Sequence, residues 1–517
     1  METKKKLLIR YIIVLFIATV IIDHSLFGQK APKQNADGNL LPYVSYNEVI
    51  MRGMKLILDD HGQWFKGDKN LLKDENGIEQ PAYIYFSNLD RNGQPRASAI
   101  DEYVSYPAFH HSLIISTLIK YYEYTGDSAS LIEARSVANW EIAHSTPSDW
   151  AYGSMPYSTY FGGRSGGFRD GNTIMTDKPA MMGLAYLLLY KATGDIQYYN
   201  ASKKIALTLA NNQLPEGNWP FRVDPQTKEI KEKYTSSAIY AVELFDQLDS
   251  IDQKNRFGEY RDLAFNWIMQ NPVQDLKWRG FYEDIAEDTT NRTNWDCIDV
   301  IRYLLNNNKI KESYLQTALK LNKYVEKVFL DKPVGYEPAE GIREQLVCFA
   351  TMGVHSAHWA AMIADLYHTT GDKQYRNRAI QTMNYVTYHL EPNNTILVGV
   401  DFESYPQWWF SCHFGVILNL LDFINSFPEF SPDDETHLLN STCNIQAIIY
   451  NQKSLVYNTM FQSNELIKLS FIPKNVLLNG KILPAGNKAG QGWKYDERTK
   501  LLTLSHKEGR IQILSDK

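Results

Sequence analysis

Four histidines stand near the starts of three apolar helical stretches: His110, His355, His358 and His413. Ser356-Ala357-His358-Trp359 aligns with Ser411-Cys412-His413-Phe414, and counting back from Asp127 and Asp372 sets His110 over His355. Imidazole titrates near neutral pH and can give or take a proton, so histidines gathered at one level suggest acid–base chemistry. For any single one, a hydrogen-bonded core histidine is an equal reading. Converging imidazoles can also hold a metal. The chain has no HExxH spacing, and Cys297, Cys348, Cys412 and Cys443 form no CxxC pair. Neither a metal nor a cofactor is expected, and the thiols read as buried and free.

Cations and aromatics crowd the segments between helical stretches. Arg164, Arg169, Arg222, Arg279, Arg292 and Arg343 lie there, with Trp219, Trp278, Trp295, Trp408 and Trp409. A guanidinium fork matches a carboxylate or sulfate. Flat aromatic faces suit sugar rings, although many of the 33 Tyr and 11 Trp must be core. Surface ion pairs account for most of the arginines; Arg222 and Arg343 are the leading carboxylate clamps, with Arg169, Trp219, Trp295, Trp408, His110 and His355 as further binding candidates. Carboxylates are plentiful on the same segments, Asp101, Glu102, Glu283, Asp284, Asp296 and Glu344 among them. Two at a set separation are what glycoside hydrolysis needs. The stretch Gly162–Gly167 lacks the following Lys-Ser/Thr of a phosphate loop.

The elements that hold these residues follow from a recurring turn. Thr125-Gly126-Asp127, Thr193-Gly194-Asp195 and Thr370-Gly371-Asp372 each close one apolar helical stretch and open another. Gly suits a left-handed C-cap and Asp an N-cap. With those boundaries, twelve helices are predicted near 43–59, 108–124, 128–145, 178–193, 197–212, 235–248, 255–270, 294–306, 311–329, 354–369, 374–390 and 408–425. Six hairpins closed in a ring make an (α/α)6 toroid over 40–430, with the even-numbered helices inside. The connections before the even helices are long, at 60–107, 146–177, 213–234, 271–293, 330–353 and 391–407. In a toroid they gather on one face, and loops of that length tend to carry function. From 436 to 517 the pattern turns to strands near Ile467–Phe471, Val476–Leu478 and Leu501–Leu504, with a hairpin turn at Asn479-Gly480. The chain is therefore expected to be mainly α, with a small C-terminal β-sandwich. Trp493 is a candidate sugar contact there, and packing against the toroid is the alternative role for that domain.

The whole chain of 517 residues is 44% hydrophobic and 22% charged, enough for a full core. A net charge of −6 argues against nucleic acid as a partner. Residues 1–29 read as a signal peptide: Lys4, Lys5, Lys6 and Arg10 precede the apolar run Tyr11–Ile22. That run is short for a membrane span, so a periplasmic or secreted protein with no stable span after processing is expected.

The TGD turns, the loop Gly217-Asn218-Trp219-Pro220 and the entry Gln407-Trp408-Trp409-Phe410-Ser411-Cys412-His413 resemble bacterial toroid enzymes of polysaccharide breakdown. The Trp-Pro loop and last helix are also similar to the helical domain of glucuronyl epimerases, whose N-terminal β-domains this chain lacks. The paired-Asp motifs of unsaturated glucuronyl hydrolases have no match. The resemblance implies a toroid lyase or oligosaccharide dehydratase acting on uronate-containing polymers, ulvan being one candidate. On that reading an acidic oligo- or polysaccharide undergoes β-elimination to an unsaturated uronate. His358 or His413 moves the proton, with Tyr234, Tyr282 or Tyr336 as its partner, and both histidines point into the funnel. A glycoside hydrolase using two carboxylates is the main alternative; a uronate epimerase or a non-catalytic glycan binder are others.

Overall fold

A computed structural model describes residues 30–64, 107–157, 173–282, 290–306, 311–348, 350–400, 408–486 and 490–515, with short loop pieces at 87–89, 93, 95–97, 160–161 and 164–165. Residues 1–29 and Arg169 lie outside the described residues.

The three TGD turns form as their chemistry dictates. Gly126, Gly194 and Gly371 adopt φ of 77°, 74° and 71°. Their amides bond back to the carbonyls of Tyr122, Tyr190 and Tyr367. Asp127, Asp195 and Asp372 then cap the next helices through the amides of Ala129, Gln197 and Gln374. Gly126 is doubly constrained, because a Cβ there would also stand 2.9 Å from the Tyr450 ring.

Twelve long helices result among the described residues. They are α1 Tyr46–Trp64, α2 Pro107–Thr125, α3 Ser128–Ala143, α4 Asp177–Thr193, α5 Ile196–Asn211, α6 Ile239–Asp252, α7 Gly258–Gln270, α8 Trp295–Asn306, α9 Glu312–Phe329, α10 Gly353–Thr370, α11 Lys373–Val386 and α12 Phe410–Ser426. The even helices pack side by side in the order α2-α4-α6-α8-α10-α12 and back to α2. Each also packs on one odd helix outside it, α12 taking α1. This is the (α/α)6 toroid. Helix α6 begins later than its apolar spacing predicts. The Thr235 hydroxyl accepts from the Ser237 amide, and Ser236 bonds to Arg279, which together hold those residues in an extended turn.

The long connections pair with one another around one end of the ring. Ile174–Met175, Arg222–Val223 and Ile230–Glu232 form a small antiparallel sheet. Ser236 bonds to Arg279, Leu346 to Arg292, and Gly353 to Val398. The loops therefore share one face, and the TGD turns share the other.

The turn face is covered by the β-domain. It has strands β1 His437–Ser441, β2 Ile445–Asn451, β3 Ser454–Thr459, β4 Ser463–Lys468, β5 Pro473–Leu478, β6 Lys481–Ile482, β7 Gly492–Asp496, β8 Leu501–His506 and β9 Gly509–Ser515. They make two antiparallel sheets, β1-β4-β8-β7 and β2-β3-β9-β5-β6. Asn479 and Gly480 take φ of 51° and 77°, a mirror-image turn that suits the strand twist. Strand β4 lies upstream of the predicted Ile467–Phe471. Its alternation is disguised because the inward Glu465 pairs with the buried His506 at 3.0 Å. Trp493 packs within the domain and donates to Leu483 O. Tyr122 of α2 enters the sandwich core, joining the two parts. Among the described residues no helix is long and apolar enough to cross a membrane.

Candidate active site

Residues three or four apart share one face of a helix. On the inner helices this raises rows of polar groups along the lumen. Helix α8 carries Asp296, Asp299 and Arg302; α6 carries Tyr240, Glu243 and Asp246; α10 carries His355, His358 and Asp365. Rows at equal heights make layers.

Among the described residues, the layer at the loop end is buried. Lys178 is fully buried, its Nζ 3.3 Å from Asp177 and 3.2 Å from the Phe281 ring centroid. Burial, with His111 and Lys178 nearby, lowers His110 to about 3. Burial and then His358 lower His355 to about 3. Both imidazoles are neutral at any ordinary pH. His355 Nδ1 lies 3.1 Å from Asn294 Oδ1. Burial raises Asp296 to about 7, against a 2.5 Å hydrogen bond from Ser236.

The middle layer centres on Asp299. One oxygen accepts from His358 Nε2 at 2.9 Å and the other from the Tyr240 hydroxyl at 2.7 Å. Burial pushes this carboxyl up, but His358, Tyr240 and Arg302 outweigh it and the net displacement is downward. An ionised carboxylate can only accept, so His358 Nε2 carries the proton. His358 Nδ1 is buried without a hydrogen bond, and its ring lies 4.3 Å from Trp295.

One turn nearer the TGD face is Glu243. Burial, then Asp299 and Asp246, raise it to about 8, opposed by Arg302. Below it Arg302 bridges Asp365 and Asp422 at 3.1 Å each, and Lys120 also pairs with Asp422. Glu243 and Asp299 line one cavity of about 1130 Å³, which runs to the β-domain at Asn440, Ser441 and Thr442. A carboxylic acid and a carboxylate thus face one space, with protonation states set apart by environment.

The structure separates the residues nominated from sequence. His358 lies inside the ring, with His110, His355 and Trp295 above it; Trp295 sits 5.2 Å from His355. Tyr282 is also at the loop end, donating to Glu344 O and 6.5 Å from His355. His413 does not point into the funnel. Its Nε2 bonds to Gly53 O on outer helix α1, and Nδ1 accepts from Trp408 Nε1 and the Ile396 amide. Both ring nitrogens are used, so the shared Ser-x-His pattern hides opposite orientations. Trp408 is accordingly a core partner of His413. Trp219 is core as well, donating to Leu209 O. Tyr336 belongs to a satellite cluster with Leu40, Tyr385 and Tyr388 and donates to Lys30 O. Tyr234 packs on Trp267 of outer helix α7 and donates to Lys277 O. Arg222 is 2% exposed and paired with Glu232 at 2.9 Å; Arg343 donates to Val328 O. Neither arginine reaches the lumen cavity.

Tyr240, Glu243, Asp299 and Arg302 lie within inner helices and not on the long loops, where the sequence concentrates its cations and aromatics. Their signal was a polar row at i, i+3 on otherwise apolar helices. Among the described residues no three or more His, Cys, Asp or Glu converge as a metal site.

By sequence, the chain matches no family model and no curated protein. By structure, it is similar to cellobiose 2-epimerase from Spirochaeta thermophila DSM 6192, with TM-score 0.55, 10% identity, and 74% of this chain and 97% of that one covered. It is similar to D-mannose isomerase, with TM-score 0.52, 13% identity and coverage of 73% and 97%. A family 76 glycoside hydrolase from a bovine Bacteroides thetaiotaomicron strain is matched with TM-score 0.50, 12% identity and coverage of 74% and 78%. At these identities the likeness defines the fold, a helical toroid with a C-terminal β-domain in this chain.

Proposed function

We propose that this protein is a carbohydrate-active enzyme that hydrolyses a glycosidic bond with Glu243 as acid and Asp299 as its carboxylate partner. The carrying observation is that the two line one cavity with protonation displaced in opposite directions. Glu243 would give its proton to the glycosidic oxygen as the C–O bond breaks, and one sugar leaves as the free alcohol. Asp299 would take a proton from the water that attacks the anomeric carbon; two of its roughly four acceptor positions remain for this. The similar structures include a glycoside hydrolase and enzymes that convert sugars, which suits the same substrate class. Export directed by residues 1–29 would place such an enzyme where polymers are met.

A second reading is proton abstraction from a carbon beside a carbonyl or carboxylate, leading to epimerisation or to β-elimination from a uronate. The unpartnered Nδ1 of His358, whose ring Asp299 orients through Nε2, favours it. Its other expected parts, His413, Tyr336 and the two clamping arginines, are engaged elsewhere.

The test is incubation with neutral and uronate-containing oligosaccharides in ¹⁸O-water and, in parallel, in D₂O. New reducing ends carrying one ¹⁸O support hydrolysis. Ultraviolet absorbance of an unsaturated uronate, or solvent deuterium at a sugar carbon, with no new ¹⁸O-labelled ends replaces it with the second reading. No change in any sugar sinks both.

A further inference from the structure

The cavity holds more information than its two carboxyls. It lies at the TGD end of the lumen, where β1 forms one wall. That wall is held firmly. Glu123 of α2 accepts from Asn444 and from the Ile445 amide, at 2.9 and 2.8 Å. Gln446 donates to Lys191 O, and the His437 ring stacks on Tyr124 with centroids 3.9 Å apart. The two domains therefore frame a fixed space, and its volume of about 1130 Å³ is a little above the range of about 300–1,000 Å³ usual for small-molecule sites.

The charge pattern of this space discriminates between ligands. Three of its four cations are paired with carboxylates: Lys120 with Asp422, Arg261 with Asp246 and Asp262, and Arg302 with Asp365 and Asp422; Lys191 donates to the neutral Gln247 amide and lies near Glu123. An anionic ligand would find only Lys191 outside an ion pair and would meet Glu123, Glu243 and Asp299 beside it. The lining side chains with no hydrogen bond among the described residues are Ser250, Asn425, Asn440 and the Tyr314 hydroxyl, beside Glu243. All four can exchange hydrogen bonds with hydroxyl groups, and Leu187, Leu188 and Phe265 add apolar surface for a sugar face.

From this we infer that a neutral saccharide, not a uronate, occupies the cavity between the TGD end of the inner ring and the β-domain, reaching Asp299 and Glu243 from that end. The inference rests on the carbohydrate reading above and adds the substrate class and the part played by the β-domain. It turns against the acidic substrate expected from the loop arginines.

The experiment uses the full chain and three defined probes: cellobiose, mannobiose and glucuronate. Each is titrated calorimetrically into the wild type and into Ser250→Trp and Asn440→Trp. Those changes fill the cavity from α6 and from β1, at positions that are exposed. A melting curve close to wild type in either variant is enough for a reading. The expected result is binding of at least one neutral disaccharide, weakened tenfold or more in the filled variants, and no binding of glucuronate. Unchanged affinity in the filled variants, preference for glucuronate, or no binding of any probe overturns the inference. The ¹⁸O assay then reports separately whether the hydrolytic reading survives.

Discussion

At the loop end of the inner ring His110, Lys178, Asp296 and His355 are no more than 7% exposed, whereas Asp299 and Glu243, one and two layers further down, face open volume. Both ends are rich in ionisable groups. At the loop end, burial takes charge away: two imidazoles are lowered to about 3 and a carboxyl raised to about 7. At the other end the charges are kept and organised, with Arg302 and Lys120 drawing Asp422 down to about 2 against burial. Titratable residues mark a reactive site only where a ligand can reach them. The starts of α10 and α12 make the same point, since His358 faces the lumen network while His413 ties α12 to α1.

The comparison breaks most directly at Glu243. Replacement by Gln removes the proposed acid, and turnover should fall by about 10²–10⁴-fold. Stability should move the other way. The folded chain holds a proton on Glu243 that the unfolded chain releases above its ordinary carboxyl range, so this group weakens folding as pH rises from about 4.5 through about 8. The melting temperature of Glu243→Gln should therefore exceed wild type more at pH 9 than at pH 5. A variant that gains stability and keeps full activity would remove the TGD end from the chemistry.

Next in size is the contrast between two histidines. His358→Ala frees Asp299 from one of its two anchors, and the rate should drop by up to about 10²-fold. The acidic limb of its pH profile should move upward, because His358 helps to lower Asp299. His413→Ala removes the partner of Gly53 O, Trp408 Nε1 and the Ile396 amide in a buried core, costing about 1–3 kcal/mol of stability for each group left unsatisfied. Activity per folded molecule should be near normal. Equal catalytic losses in the two variants would erase the distinction between inward and outward histidines.

The wild-type pH profile sharpens the same picture. Glu243 must be protonated to act, so the rate should decline as pH rises through about 8. Arg302 lowers Glu243, and Arg302→Met should shift that limb upward. An alkaline limb that ignores Arg302 would detach Glu243 from it. The smallest effect is expected at Trp493→Phe, which loses one hydrogen bond to Leu483 O: about 1 kcal/mol in a denaturant melt, with unchanged turnover.

Much of the scaffold was legible because its signals are local. A Gly at positive φ followed by an N-capping Asp ends one helix and starts another whatever surrounds it, and three such turns set the hairpin rhythm. The Asn479-Gly480 turn is local in the same sense. The site was hardly legible. Sequence spacing places His358 and His413 at equivalent points on two helices, but rotation about a helix axis is decided by what packs on each side, here Asp299 against Gly53. Arg222 is expected from sequence to clamp a substrate carboxylate, and the fold pairs it with Glu232 of its own chain. The sequence alone determined how many hairpins the ring contains and where the TGD turns divide them, since backbone hydrogen bonds and caps at such turns are settled within a few residues. Which polar groups share the lumen, which are neutralised by burial and which line a cavity was decided by the tertiary structure, because desolvation and charge pairing depend on neighbours tens to hundreds of residues away in the chain.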